Sequence, residues 1–243
     1  MATTLVIYVF HEYNSRVEYF IRNAIFEDAS VKFLFVANSM SIERPGELPA
    51  AYTLLKRPNI GYDFGAWSYG LFHEDNYTKF DNFIFVNSTV VGPFLPPYYK
   101  GKWTDIFVEG LKEAELFGCT INTLQKPATH SHVQSYLFSA ARKTVEFLIE
   151  RQIFSTTEIA NSWTQAIISK EIRMSREIVE AGWRIASLMR LYKDVDFRFK
   201  DKRPEDYRIP FVDDCMYAHS FSRALFGNYY ETVFIKGNRI DYT

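Results

Sequence analysis

The stretch "TLVIYVFHEYNSRVEYFIRNAIFEDASVKFLFVAN", residues 4–38, decides how the rest of the chain is read. "TLVIYVF" (4–10) is an unbroken apolar run of strand length, rich in β-branched and aromatic residues. Such a run suits a strand buried on both faces. The polar loop His11-Glu12-Tyr13-Asn14-Ser15 follows it. After the loop, Val17, Phe20, Ile21, Ala24 and Ile25 recur at helical spacing, and "VKFLFVAN" (31–38) is a second buried strand. Strand, helix and strand in this order make a β-α-β unit, whose strands run parallel if they are neighbours.

Working outward, a short strand "AYTLLKR" leads into "PNIGYDFGAW" (58–67). A helix is expected from Asp63, with Phe64, Trp67 and Leu71 on its inner face and Asp63 at or near the N-cap. "FDNFIFVNST" reads as a fourth strand, and Gly92, Pro93, Pro96 and Pro97 in "VVGPFLPPYY" stop either element. "WTDIFVEGLKEAELFG" is expected to be helical, "CTINTL" a short strand, and "HSHVQSYLFSAARKTVEFLIERQIF" a strand that becomes a helix. Ser155 and Glu158 have capping-box spacing, predicting a helix from there to about Glu180, with Gly182 as its stop. "WRIASLM" is a further short strand, 194–228 is irregular, and "ETVFIKGNR" closes the chain. The alternation predicts an α/β fold with a mostly parallel central sheet flanked by helices, in one domain over 1–243.

Composition narrows the partners. A net charge of -1 argues against an extended nucleic-acid footprint but leaves room for one small anion. The 22 Phe, 16 Tyr and 4 Trp suit a protein that stacks on flat or sugar-like ligands as well as on itself. Cys119 and Cys215 lack zinc spacing and are expected to be free thiols in a reducing compartment. No apolar run approaches the ~18 residues of a membrane span. The N-terminus has no basic leader region, so the cytoplasm is the expected location, a host's cytoplasm if the chain is viral.

The polar clusters fall directly after predicted strands: His11 to Ser15, Asn38 to Ser41, Asn59 to Asp63, and Asn87 to Thr89. In an open, mostly parallel sheet these ends lie along one edge, where ligands bind. The chain has no phosphate-binding P-loop, no G-x-G-x-x-G after the first strand, no G-x-S-x-G elbow and no H-E-x-x-H. His11-Glu12 and His130-Ser131-His132 are weak metal signals, as readily explained by hydrogen-bonded surface or core histidines.

Four stretches in order, "NIGYDFGAW", "FDNFIFVNSTVVGPFLP", "HVQSYLFS" and "ETVFIKGNR", resemble the glycosyltransferases related to the rhamnan synthesis F proteins. Similar proteins occur among large algal viruses and among bacteria that build surface glycans. The resemblance runs over roughly residues 5 to 240 and implies a GT-A-type, Rossmann-like fold using a nucleotide-sugar donor, UDP-linked by default. It places His11 and Asn14, with Asn38 at the next strand end, near the nucleotide. It puts Asn59, Gly61 and Asp63 against the nucleoside or diphosphate, with Asn87 and Ser88 beside them.

Many GT-A enzymes carry Asp-x-Asp for Mn²⁺ or Mg²⁺ where this chain has Asn87-Ser88-Thr89, and an amide with hydroxyls holds a hard cation less firmly. A metal would rest on donor phosphates with Asn87, His219 or Asp63. Alternatively, Lys236 and Arg239 neutralise the leaving diphosphate directly. Asp213, Asp214, Glu171 and His132 are the candidate bases. The implied acceptor is a hydroxyl of a growing surface or capsid polysaccharide. The alternatives are a non-catalytic nucleotide-sugar or glycan-binding relative, and a different α/β enzyme such as a phosphatase or nucleotidyltransferase.

Overall fold

A computed structural model of the chain describes residues 2–44, 46, 48–49, 52–123, 130–208, 214–217 and 228–241. All seven residues of β1 (Thr4–Phe10) are buried, as a strand covered on both faces requires. β1 pairs in parallel with β2 (Val31–Ala37) on one side and with β4 (Asn82–Asn87) on the other. β3 (Thr53–Lys56) extends the sheet beyond β2, again in parallel. The seven-stranded order is β10-β6-β9-β4-β1-β2-β3, where β6 is Leu116–Gly118, β9 is Leu137–Ala141 and β10 is Ile185–Ser187. β9 runs antiparallel to both of its neighbours, and the other pairs are parallel. The α/β architecture expected from the sequence, with its mostly parallel sheet, is therefore the one observed.

Helices cover both faces. α1 (Ser15–Ala24) packs on β1 through Phe20, whose ring stacks on Tyr8 at 4.2 Å. α4 (Trp103–Gly110) lies on the same side, with Trp103 6.2 Å from Phe20. On the opposite face α2 (Tyr62–Phe72) inserts Trp67 against Phe85 and Phe138, at 5.9 and 5.4 Å. Trp67 and Trp103 are thus core residues, each fully burying a side chain worth ~1.5–3 kcal/mol or more. A one-turn α3 (Asn76–Lys79) leads into β4, and α5 (Arg142–Glu150) follows β9 directly. Cys119 and Cys215 are buried free thiols, as expected.

Three boundaries differ from the sequence reading. α4 ends at Gly110, and the "LFG" expected to continue it is strand β6. Its short edges pair with β9 and β10, and that gain outweighs weak helix propensity past a glycine. β7 (Ile121–Asn122) and β8 (His132–Val133) form a small antiparallel ribbon beside the sheet.

The long helix begins at Trp163 rather than Ser155. Ser155 Oγ does accept from the Glu158 amide at 2.9 Å, but the buried Lys170 ammonium takes the carbonyls of Gln152 and Glu158 at 2.6 and 2.5 Å. The Lys170 ammonium thus clamps the 152–158 segment in a non-helical turn. α6 (Trp163–Ala166) instead starts at Ser162, whose Oγ accepts from the Gln165 amide. It continues through a π-helical segment (Ile167–Ile172) into α7 (Arg173–Glu180), and Gly182 stops it at φ 82.

Candidate active site

Because β1 to β4 are mutually parallel, their C-terminal ends share one edge, and a cavity of about 210 Å³ lies there. Its floor is Asp63 and Asn87. One wall is the α6–π helix, through Trp163, Ala166, Ile167 and Glu171, and the other is the C-terminal strap with Lys236, Asn238 and Arg239. A larger cavity, about 690 Å³, opens at the opposite edge beside Val31, Lys32 and Glu74. None of the residues singled out from the sequence lines it.

The floor is built by the loop after β3. Gly61 is left-handed at φ 77 and forms the N-cap of α2 without a side-chain cap. A Cβ at Gly65 would lie 2.4 Å from the Ile60 carbonyl, so only glycine lets this loop close onto the first helical turn. Asp63 consequently sits inside that turn rather than at the cap. Its Oδ2 accepts from Asn87 Nδ2 at 2.9 Å instead of from backbone amides. Asn87 is held from its other end, since its Oδ1 accepts from the Thr89 amide and from Thr89 Oγ1, at 3.1 and 2.6 Å.

Burial pushes the Asp63 carboxyl up to about 6; the Asn87 amide opposes this, Glu171 adds to it, and His11 and Lys236 oppose it. A carboxyl raised by burial and by a neighbouring carboxylate in a cavity is a common mark of a functional site.

The strap is fastened by pairing and packing. β11 (Ile235–Lys236) runs antiparallel to β5 (Val90–Val91), with Lys236 opposite Val90, and the Gly237 amide donates to Thr89 O at 2.8 Å. Phe234 anchors it in the core, 5.0 Å from Trp103. Lys236 Nζ lies 5.4 Å from the centre of the Tyr136 ring. Burial lowers the Lys236 pKa from the ordinary lysine value, while Glu171 and Asp214 favour the charged form and Arg239 disfavours it. Arg239 stacks on Tyr217 at 4.5 Å and donates to Asp214 Oδ2 at 2.5 Å.

Of the candidate bases, Glu171 is at the cavity. Its Oε1 accepts from the Ser135 amide at 2.7 Å, and Oε2 has no hydrogen-bond partner among the described residues. Asp214 lies behind the wall and is committed. It accepts from Gln134 Nε2, the Met216 amide and Arg239, and although burial raises its pKa, Lys236, these donors and Arg239 hold it below the ordinary carboxylate value. It positions Arg239. His132 is buried in β8 with Nδ1 bonded to the His130 carbonyl at 2.8 Å, and it does not line the cavity. Asp213 and His219 lie outside the described residues.

The remaining candidates divide. Asn59 and Gly61 line an adjoining groove of about 240 Å³ with Tyr62 and Asn161. Asn38 is buried, accepting from Arg57 and donating to Tyr62 O, so it braces the loop instead of facing the cavity. Asn14 caps α1, accepting from the Arg16 and Val17 amides. His11 is exposed beside Glu12, and Ser88 offers its carbonyl to Arg16 Nε. None of these four residues lines the cavity.

Among the described residues no three His, Cys, Asp or Glu side chains gather as a metal site. Asn87, the expected ligand, has both Oδ1 lone pairs occupied. These side chains do not by themselves fit a Mn²⁺ or Mg²⁺ centre.

Trp163, Ser135 and Asn238 escaped the sequence reading. Ser135 and Asn238 stood inside the quoted "HVQS" and "FIKGNR" stretches, and Trp163 directly follows the Asn161-Ser162 cap.

An open α/β sheet whose parallel strands end at a cavity lined by both carboxylates and cations has the placement of a ligand-binding site. The chain belongs to the rhamnan synthesis protein F family, whose model matches residues 33–208. The matched span includes the floor and the helical wall and ends before the strap. No curated protein matches the chain. Among solved structures it is similar to a protein of Desulfovibrio desulfuricans G20 provisionally named a nucleotide-diphospho-sugar transferase. That likeness has TM-score 0.46 at 10% identity and covers 82% of this chain and 91% of the other. Among the described residues no helix is long and apolar enough to cross a membrane.

Proposed function

We propose that the chain is a nucleotide-sugar-dependent glycosyltransferase, with residues 1–243 acting as one domain in the cytoplasm. The donor is a UDP-sugar and the acceptor a hydroxyl of a growing surface or capsid glycan. Family membership supports the general activity. The observation that carries the reading is the placement of one fixed carboxylate, Glu171, in the same cavity as two strap cations, Lys236 and Arg239.

Glycosyl transfer needs a stabilised leaving diphosphate and, for inversion, a base at the acceptor hydroxyl. In this reading Lys236 and Arg239 bind the donor diphosphate. Arg239 is held for this by Asp214, and Asp63 with Asn87 orients the donor from below. Glu171 Oε2 takes the proton of the acceptor hydroxyl as its oxygen bonds to the anomeric carbon. The bond from that carbon to the diphosphate oxygen breaks, and its electron pair leaves on the diphosphate. Every step uses this chain's own side chains.

The test is thermal stabilisation by a panel of UDP-, GDP- and dTDP-sugars, with and without Mn²⁺, followed by an assay of nucleoside diphosphate release. At least one donor should stabilise the protein, and Asp63→Ala should abolish that stabilisation. Glu171→Gln should still bind the donor but lose turnover on the order of 10²–10⁴-fold. Stabilisation by no donor would sink the proposal. Donor binding without turnover, across a reasonable acceptor panel, would make the chain a silent sugar-nucleotide-binding relative.

A further inference from the structure

Three tryptophans are wholly or partly buried, whereas Trp163 is 64% exposed at the mouth of the cavity. At the cavity lining, its indole presents an aromatic plane with one polar N–H edge to whatever binds there. Its backbone is well held. Ser162 Oγ accepts from the Gln165 amide, and Gln165 Oε1 accepts in return from the Asn161 amide at 2.8 Å, fixing the first helical turn from both ends.

Trp163, Ala166, Ile167 and Glu171 follow one another at i, i+3, i+4 and i+8 on one continuous helix and line the same wall. The π-helical segment Ile167–Ile172 carries Glu171, and such interruptions of α-helices are frequent at functional sites. Between Trp163 and Glu171 the wall is roughly 12 Å long at 1.5 Å per residue, and its intervening cavity-lining side chains, Ala166 and Ile167, are uncharged.

We infer that Trp163 is the platform of an acceptor subsite, on which a neutral pyranose ring stacks with its hydroxyl toward Glu171. The inference rests on the transferase reading above. A base must touch the acceptor, and Trp163 shares the helix face of Glu171, which places the indole on the acceptor side of the cavity. The charged end of the cavity, with Lys236 and Arg239, selects the anionic diphosphate. The Trp163 end offers an aromatic plane and aliphatic carbons, the surface that suits the C–H face of an uncharged sugar. A nucleobase could also stack on an indole, and the test separates the two.

Methyl α-L-rhamnopyranoside, methyl β-D-glucopyranoside and methyl α-D-galactopyranoside are titrated into the full chain by calorimetry, with and without UDP. UDP is titrated separately. At least one glycoside should bind. Trp163→Ala should weaken it about tenfold, equivalent to ~1.4 kcal/mol, and Trp163→Phe should restore most of the loss. UDP affinity and the melting temperature should be unchanged in both variants, because the side chain is exposed. Glycoside binding that is indifferent to Trp163→Ala, or absent across the panel in the wild type, overturns the inference. So does a UDP affinity that falls with Trp163→Ala, which would assign the indole to the nucleobase. Failure of every nucleotide sugar to stabilise the chain strikes the transferase reading instead, and the titrations without UDP then decide Trp163 alone.

Discussion

Replacing Asp63 by asparagine should make the protein more stable at neutral pH. The Asp63 carboxyl is raised from its ordinary value of 3.8 to about 6, chiefly by burial. A folded value above the unfolded one means that the folded chain holds the proton more tightly, so ionisation works against folding. The penalty is absent below about pH 4, grows between about pH 4 and 6, and is complete above it. At ~1.4 kcal/mol per pH unit the shift corresponds to about 3 kcal/mol. Asp63 keeps partial solvent contact, so roughly 1–3 kcal/mol is the expected gain. The new amide oxygen can still accept from Asn87 Nδ2, so the hydrogen bond at the floor survives. Urea unfolding of wild type and Asp63→Asn from pH 4 to pH 8 measures the effect. The curves should coincide near pH 4 and diverge toward pH 8, with the variant more stable. A variant less stable at pH 8, or a difference that does not change with pH, would refute the argument that burial of this carboxylate carries a stability cost.

Gly65→Ala should lower the melting temperature, since its Cβ would meet the Ile60 carbonyl at 2.4 Å and the backbone must move, at a cost of about 1–3 kcal/mol. Differential scanning calorimetry checks this, and an unchanged melting temperature would show that the loop before α2 is not tightly closed. Lys236→Met should reduce diphosphate release on the order of 10²–10³-fold with little loss of stability, as expected when a charge-stabilising group at the leaving group is removed. Steady-state kinetics alongside thermal denaturation separates these effects. Binding of UDP-glucose, whose phosphates are both esterified and do not titrate near neutrality, should raise the Asp63 pKa further and take up protons at pH 6.5. Calorimetry in buffers of different ionisation enthalpy would detect that uptake, and identical heats in all of them would place the diphosphate away from Asp63.

The sheet was legible because its strands are continuous apolar runs, and burial on both faces is what β1 and β2 show. The common edge of the strand ends was legible too, since parallel pairing follows from the β-α-β order. The division of labour along that edge was not. A polar residue after a strand is equally suited to a ligand, to a helix cap or to a loop brace, and composition does not separate them. Asn14 and Asn38 are a cap and a brace, whereas Asp63 and Asn87, 24 residues apart, meet on the floor. The start of the long helix was misplaced for a comparable reason. Ser155 makes its local capping bond to the Glu158 amide, but the Lys170 side chain, distant in sequence, clamps the Gln152 and Glu158 carbonyls and holds the segment in a non-helical turn.

The charges at the site explain why the C-terminal strap is indispensable to the proposed chemistry. Asp63 and Glu171 come from the segment that matches the family model, and by themselves they form a floor and wall that repel an anion. The cations arrive from beyond that segment, on a two-residue strand paired with Val90–Val91 directly after the Asn87 end of β4. This pairing couples the cations to the floor, because Thr89 accepts the Gly237 amide through its carbonyl while its hydroxyl donates to Asn87. Asp214 then orients Arg239 and draws off part of its charge, leaving Lys236 as the principal counter-charge to the two cavity carboxylates. An anionic donor is therefore favoured only when the strap is in register. A shift of β11 by one residue would turn Lys236 to the other side of its strand and leave the carboxylates unopposed.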